Sequence, residues 1–152
     1  HLAYSKLGID YGQGNDPYSL DGFDKKYRNV IKLATLTSLN MKNEQYFAQT
    51  ITKRLQEDGL YIPNVPFNDI KKAILKKHHP IKEFFFSGVG LEFMYLDSCV
   101  TEYIIKKFTT QKIPVLSIHD SYIVGKSYKK LLIEIMTSAF RYNKLTSVPV
   151  IK

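Results

Sequence analysis

The sequence predicts a predominantly helical α+β fold. Apolar residues recur at helical spacing through most of the chain, and only residues 113–124 form two short apolar runs around a polar pair, which is typical of a β-hairpin. With 152 residues the chain is long enough for one domain with a core, or for part of a larger one. Two strands alone make little stable sheet, so we expect the hairpin to pack on the long helices or to pair with further strands.

The composition favours a polyanionic partner. The chain has 22 Lys and Arg against 14 Asp and Glu, a net charge of +8, which suits nucleic acid or nucleotides as well as simple solubility. Cys99 is the only cysteine, which excludes an internal disulfide and is typical of a reducing, cytoplasmic compartment. No apolar run approaches the roughly 20 residues of a membrane span. The sequence begins at His1 without a signal peptide, so we expect a segment of a longer chain.

A helix is predicted over residues 21–40, with Asp21 as its N-cap. Arg28, Lys32 and Thr35 recur at spacings of three and four, so we expect them to share a face, with Lys25 alongside. The opposite, apolar side is expected to consist of Tyr27, Val30, Ile31, Ala34 and Leu36.

The other helices follow from the same periodicity. They are predicted at residues 2–7, 43–58, 68–78, 80–86, 91–108 and 127–140. Phe47, Ile51 and Leu55 form the expected core stripe of the helix 43–58, and Gly59 ends it. The helix 91–108 is so apolar that we expect it to be largely buried. His78 and His79 end a helix, where imidazolium complements the helix dipole.

Several common sites are disfavoured by spacing. The four histidines and one cysteine show no zinc-ligand pattern. His119, Asp120 and Ser121 are consecutive, so on a strand they point to alternate faces and cannot form a hydrolase triad among themselves. Gly12-Gln13-Gly14 has no preceding strand and no following Gly-Lys, so it is not a phosphate loop.

The polar pair inside the hairpin needs an explanation. A carboxylate between two apolar strands is costly unless a partner satisfies it. Asp120 therefore has a structural partner, caps its own turn, or is presented there as a ligand. Hairpin turns prefer Asn-Gly or Asp-Gly, and the sequence Ile-His-Asp-Ser-Tyr does not match either, which favours presentation.

The stretch IPVLSIHDSYIV, residues 113–124, resembles motif C of the single-subunit nucleic-acid polymerases, namely phage-type RNA polymerases and family A DNA polymerases. Leu96-Asp97-Ser98 resembles part of the helix that precedes motif C in the phage-type enzymes. Tyr27 to Lys32, YRNVIK, resembles the start of motif B, with Arg and Lys four residues apart. The GID and DPY stretches of the preceding loop resemble the segment that joins motif A to motif B. These matches occur in the family's order over most of the chain.

The resemblance implies a fingers-like region at residues 1–90, including the motif B helix, and a palm-like region at 91–152 with the hairpin. It implies that Asp120 binds the catalytic Mg²⁺ or Mn²⁺, and that His119 contacts the primer or nascent strand. Lys32 and Arg28 would bind the triphosphate of the incoming nucleotide. Asn40 and Met41 stand where the family has a Tyr-Gly pair.

The implied partners are template and primer nucleic acid, nucleoside triphosphates and an N-terminal palm segment carrying motif A. Motif A supplies the family's other metal-binding Asp and would lie before His1. We therefore expect this chain by itself to be inactive as a nucleotidyltransferase, although a longer parent is expected to be a DNA or RNA polymerase.

Two other functions remain open. The chain could be a non-catalytic nucleic-acid-binding module derived from a polymerase fold, or an interaction domain in which Asp120 only caps a turn. The sequence does not distinguish a DNA from an RNA template or product.

Overall fold

The computed structural model describes residues 2–12, 15–60, 62–118 and 121–145. It is mainly helical and contains one two-stranded antiparallel hairpin in its described part, which confirms the predicted α+β class. The chain forms two compact units. We call Asn15–Leu91 the helical unit, and His1–Gly14 together with Glu92–Lys152 the hairpin unit. Within the described residues, no helix combines the length and apolar character that crossing a lipid bilayer requires.

The elements follow one another in a simple order. The helices are α1 (Leu2–Lys6), α2 (Arg28–Asn40), α3 (Phe47–Glu57), α4 (Phe67–Lys77), α5 (Gly90–Thr110) and α6 (Lys129–Tyr142). The strands are β1 (Val115–Ile118) and β2 (Ser121–Val124). Short 3₁₀ turns occupy Lys25–Tyr27, Glu44–Tyr46, His79–Phe84 and Lys126–Tyr128.

Helix α2 begins seven residues later than the predicted N-cap at Asp21. Gly22 has φ +81°, and the Phe23 N–H donates to the Leu20 carbonyl at 3.2 Å, so the chain turns here instead of entering a helix. The 3₁₀ turn Lys25–Tyr27 then leads into α2. The glycine permits this positive φ without steric cost, and the turn replaces the first predicted helical turns.

The core of the helical unit lies between α2, α3 and α4. Its buried apolar residues are Leu20, Val30, Ile31, Ala34, Phe47, Ile51, Leu55, Ile70, Ile74, Ile81 and Phe85. The expected α3 stripe is therefore confirmed. Gly59, with φ +66°, ends α3: its N–H donates to the Gln56 carbonyl at 3.1 Å, and the Leu60 N–H donates to the Leu55 carbonyl at 2.8 Å. This pair of bonds satisfies carbonyls that the helix end would leave without partners.

In the hairpin unit, one side of α5 packs against α6. The buried cluster consists of Val100, Ile104, Phe108, Ile135, Ala139, Phe140 and Leu145. The expected burial of most of α5 is wrong, because Leu91, Met94 and Tyr95 are 78%, 67% and 68% exposed. The buried residues of α5 are Val100, Ile104 and Phe108, which recur every four positions and so form one stripe along the helix. Among the described residues, packing partners cover only this stripe of α5.

The hairpin lies against this cluster on one face. Val115 pairs with Val124 and Ile118 pairs with Ser121, so β1 and β2 are in register over four residue pairs. Val115, Tyr122 and Val124 pack on the cluster, and the Tyr122 hydroxyl hydrogen-bonds Thr101 Oγ1 of α5 at 2.7 Å. The expected packing of the hairpin on a long helix is confirmed. Its other face, with Leu116, Ile118 and Ile123, is more than half exposed.

Candidate functional site

Arg28 and Lys32 lie one turn apart at the start of α2, and both are exposed. The expected shared face does not continue to Thr35, which is buried and whose hydroxyl donates to the Ile31 carbonyl at 2.7 Å. A threonine can be buried in this way because its hydroxyl is satisfied within its own helix. Leu36, predicted as a core residue, is 42% exposed instead. The cationic face is therefore confined to Arg28 and Lys32, at the start of α2.

Arg28 already has an anionic partner. Its guanidinium donates from Nε to Asp16 Oδ2 at 2.8 Å and from an Nη atom to Asp16 Oδ1 at 3.2 Å, and it lies over the Tyr18 ring at 5.6 Å. The hydrogen bond from Arg28 lowers the pKa of the Asp16 carboxyl, and the same bond raises the pKa of Arg28. A phosphate would have to compete with a bidentate carboxylate for this side chain.

Lys32 differs from Arg28 because it makes no ion pair or side-chain hydrogen bond with the described residues. It is exposed, so its ammonium is available to an anionic ligand. Of the two cations predicted to bind triphosphate, Lys32 is the one whose charge the described protein leaves uncompensated.

A small cleft of about 330 Å³ lies beside Arg28. The loop before α2 forms it, with Tyr18, Phe23 and Lys25 among its lining residues. The Tyr18 N–H donates to Asp16 Oδ1 at 3.0 Å, so the loop is held by the same carboxylate that binds Arg28. Sequence reasoning does not find the pairing of Asp16 with Arg28 or the role of Tyr18, since it singles out this stretch only for its resemblance to the segment that joins motif A to motif B. The twelve-residue separation from Arg28 carries no periodic signal.

The connection between β1 and β2 is two residues long. Because Ile118 pairs with Ser121, only His119 and Asp120 join the strands. Both residues lie outside the described residues. The predicted contact of His119 with the primer or nascent strand and the predicted metal binding by Asp120 therefore stay predictions. Ile118 and Ser121, which flank them, are exposed.

No metal centre is formed by the described side chains. Among residues 2–12, 15–60, 62–118 and 121–145, no group of three or more His, Cys, Asp or Glu is arranged to hold an ion. Asp97, from the stretch that resembles the helix before motif C, is exposed on α5. Asp120 is not among the residues to which this finding applies.

Asn40, which stands where motif B has a tyrosine, packs against Gly90. Asn40 is the last residue of α2, and its Nδ2 donates to the Leu36 carbonyl at 2.8 Å. A Cβ on Gly90 would lie 1.7 Å from Asn40 Oδ1, so the asparagine occupies the space that the glycine leaves. This contact explains why a small residue is found at Gly90.

Comparison of the chain with protein-family models, with curated proteins and with solved structures finds no match.

Proposed function

We propose that the chain is part of a template-directed nucleotidyltransferase, a DNA or RNA polymerase that uses metal-assisted phosphoryl transfer. The observation that carries the proposal is the hairpin. Two strands in register are joined only by His119 and Asp120, and they follow a long helix that bears Leu96-Asp97-Ser98. The sequence of helix, hairpin with His-Asp and second helix is the arrangement that the resemblance to motif C implies.

The ion would be Mg²⁺ or Mn²⁺, and Asp120 would be its ligand from this chain. Both ions prefer hard oxygen ligands such as carboxylate. An ion of this kind neutralises charge on the transferring phosphoryl group when it is bound. His119 would contact the primer or nascent strand, since consecutive residues point to opposite sides.

Lys32 and Arg28 would bind the triphosphate. The uncompensated ammonium of Lys32 is suited to the charge of the leaving pyrophosphate. Arg28 would either exchange Asp16 for phosphate or, in the Asp16 pair, hold the loop that borders the cleft. The proposal gives Lys32 the larger share of nucleotide affinity for this reason.

Two-metal phosphoryl transfer needs carboxylates from more than one segment around ions about 3.5–4 Å apart. An upstream palm segment with motif A would supply the further carboxylate, and the chain by itself would be inactive without it. Such a segment, joined to the chain or added as a second polypeptide, should restore tight metal binding.

A non-catalytic nucleic-acid-binding module is the second candidate. It is favoured by the pairing of Arg28 with Asp16, which leaves one free cation at the proposed triphosphate site among the described residues of α2. Such a module would bind nucleic acid in a salt-dependent manner and would show no dependence on divalent metal.

Nucleotide binding tests the proposal at Lys32. Substitution Lys32→Ala should weaken binding of a nucleoside triphosphate by about 5- to 150-fold, the range for a lost charge-assisted contact of about 1–3 kcal/mol. Titration calorimetry with Mg²⁺ present measures the affinity, and Lys53→Ala on α3 is a control with the same loss of charge. An affinity that is unchanged by Lys32→Ala would mean that this lysine is only solvated and that the motif B assignment is wrong.

A further inference from the structure

A second surface in the hairpin unit combines aromatic and basic residues. α5 and the end of α6 border a groove of about 590 Å³. Two tyrosines, one from each helix, and two adjacent lysines of α5 lie along it: Tyr103, Tyr142, Lys106 and Lys107. Cys99 also lines the groove.

The two tyrosines form an open aromatic platform. Their ring centroids are 4.8 Å apart with an angle of 36° between the planes, so Tyr103 supports the ring of Tyr142 from one side. Tyr142 is 71% exposed, which leaves most of its surface available to a ligand. An aromatic ring in this setting can stack with the flat face of any nucleobase.

The groove is also positively charged. The Lys107 ammonium lies 5.3 Å from the centroid of the Tyr103 ring and makes no ion pair with the described residues. Lys106 donates to Glu102 at 2.6 Å, so the one acidic residue of the lining is already neutralised. Arg141 and Lys144 flank Tyr142 and Asn143 in sequence, which adds further positive charge at the end of α6.

We propose that this groove binds single-stranded nucleic acid, with one base stacked on Tyr142 and an adjoining phosphate bound by Lys107. The inference rests on the proposed function, since both assume that the chain works on nucleic acid, and it identifies a strand-binding surface outside the motif B and motif C residues. An acidic peptide would also be attracted to the lysines, but it would not depend on the Tyr142 ring.

Affinity for an oligothymidylate of about 12 nucleotides, within the usual site size of about 4–16 for a small single-strand-binding fold, tests the groove in the full chain. Fluorescence anisotropy should show that Tyr142→Ala weakens binding by at least about fivefold, the lower end of the loss for one stacked base. Tyr142→Phe, which keeps the ring, should bind within twofold or so of the wild type, and so should the control Tyr46→Ala, which removes an exposed tyrosine of the helical unit.

Salt dependence tests the phosphate contacts separately. Lys107→Ala should reduce the slope of log affinity against log salt concentration by about 0.7, the value for one phosphate contact on a single strand. Lys130→Ala, an exposed lysine near the start of α6, removes the same charge away from the groove and should leave the slope unchanged.

Cys99 reports on occupancy directly. Because it is the only cysteine and lines the groove, the oligonucleotide should slow its alkylation by a maleimide in the wild type, but not in Tyr142→Ala at the same oligonucleotide concentration. A poly-glutamate peptide at equal charge concentration should protect Cys99 less than the oligonucleotide does, and its effect should be the same in the wild type and in Tyr142→Ala.

Three results would overturn the inference. If the wild type binds the oligonucleotide and neither Tyr142→Ala nor Lys107→Ala changes affinity or slope, the groove is not the site, and the proposed function still stands. If poly-glutamate protects Cys99 as well as the oligonucleotide does, the surface recognises acidic chains in general. If the wild type does not bind the oligonucleotide at all, both the groove and the proposed function fail.

Discussion

Arg28 and Lys32 show how two cations with the same predicted role can differ in the folded chain. Both are exposed and lie one turn apart at the start of α2, but Asp16 binds Arg28 in a bidentate manner. The helical period alone gives them one face and one role. The partner of Arg28 comes from a loop twelve residues earlier, and pairings of that kind depend on the tertiary fold.

His78 illustrates a reversal of charge state at a single residue. The sequence suggests an imidazolium that complements the end of α4, but the ring is 2% exposed and its Nε2 lies 3.0 Å from the Pro17 carbonyl. Burial lowers the pKa of His78, with a further contribution from the charge of Lys77. The expected imidazolium is therefore wrong, because the cost of desolvating a charge exceeds the gain from the helix dipole. A neutral ring can donate Nε2–H to the carbonyl.

This lowered pKa predicts a pH dependence of stability. In the unfolded chain the pKa of His78 is about 6.5. Because the pKa is lower in the folded chain, the unfolded state binds more protons as the pH falls through this region. The free energy of unfolding should therefore fall as pH decreases from about 7.5 to about 5, and His78→Gln, which keeps a donor but does not titrate, should flatten that dependence. Urea unfolding at several pH values measures it.

His79→Gln is the matched control for His78, because the neighbouring His79 is exposed. It should leave the pH dependence as in the wild type. A His78→Gln variant that keeps the full wild-type pH dependence would mean that folding does not lower the pKa of His78.

At the scale of elements, the hairpin is held in place by α5. Val115, Tyr122 and Val124 face the cluster formed by α5 and α6, and the Thr101–Tyr122 hydrogen bond fixes the hairpin against the helix. The proposed function needs this attachment, because a metal ligand between the strands must be presented by a rigid support.

Thr101 and Tyr122 should be coupled in their contributions to the free energy of unfolding, because their hydroxyls share a hydrogen bond. Thr101→Val and Tyr122→Phe each remove one hydroxyl, and a double-mutant cycle should give a coupling of about 0.5–1.5 kcal/mol in the free energy of unfolding. Thr109→Val on the same helix is a control, because the Thr109 hydroxyl donates only within its own helix. A coupling indistinguishable from zero would show that the hairpin does not depend on this contact.

Local patterns allowed most elements to be predicted, and their errors have physical causes. The stripe Phe47, Ile51 and Leu55 and the end of α3 at Gly59 depend on periodicity and on a backbone conformation that glycine favours. The predicted start of α2 differs from the observed one because Asp21 has the chemistry of an N-cap but is followed by a glycine that turns the chain. The burial of α5 was overestimated since apolar composition does not tell which faces have partners.

Over the whole molecule, the excess positive charge contributes little to folding, and we propose that it serves the binding of a polyanion. The ion pairs of the described residues join side chains that are substantially exposed for at least one partner, and such pairs contribute little to stability. Lys32 in the helical unit and Lys107 in the hairpin unit make no ion pair with the described residues. From the sequence, the net charge suits a polyanionic partner as well as simple solubility. The groove of tyrosines and lysines requires two helices to be packed, so it could not be found from the sequence.

We propose that the hairpin presents Asp120 to a catalytic metal ion. Mn²⁺ binding, measured by electron paramagnetic resonance with a nucleoside triphosphate present, is the sharpest test of this role. The wild-type chain should bind weakly, since a single carboxylate leaves the ion most of its waters, and Asp120→Asn should reduce that binding by about tenfold or more, the effect of losing about 1.4 kcal/mol. Asp97→Asn, which removes an exposed carboxylate from α5, should leave the Mn²⁺ affinity unchanged. Equal Mn²⁺ affinity in the wild type and in Asp120→Asn would mean that Asp120 is not a metal ligand and would favour the alternative that it only caps its own turn.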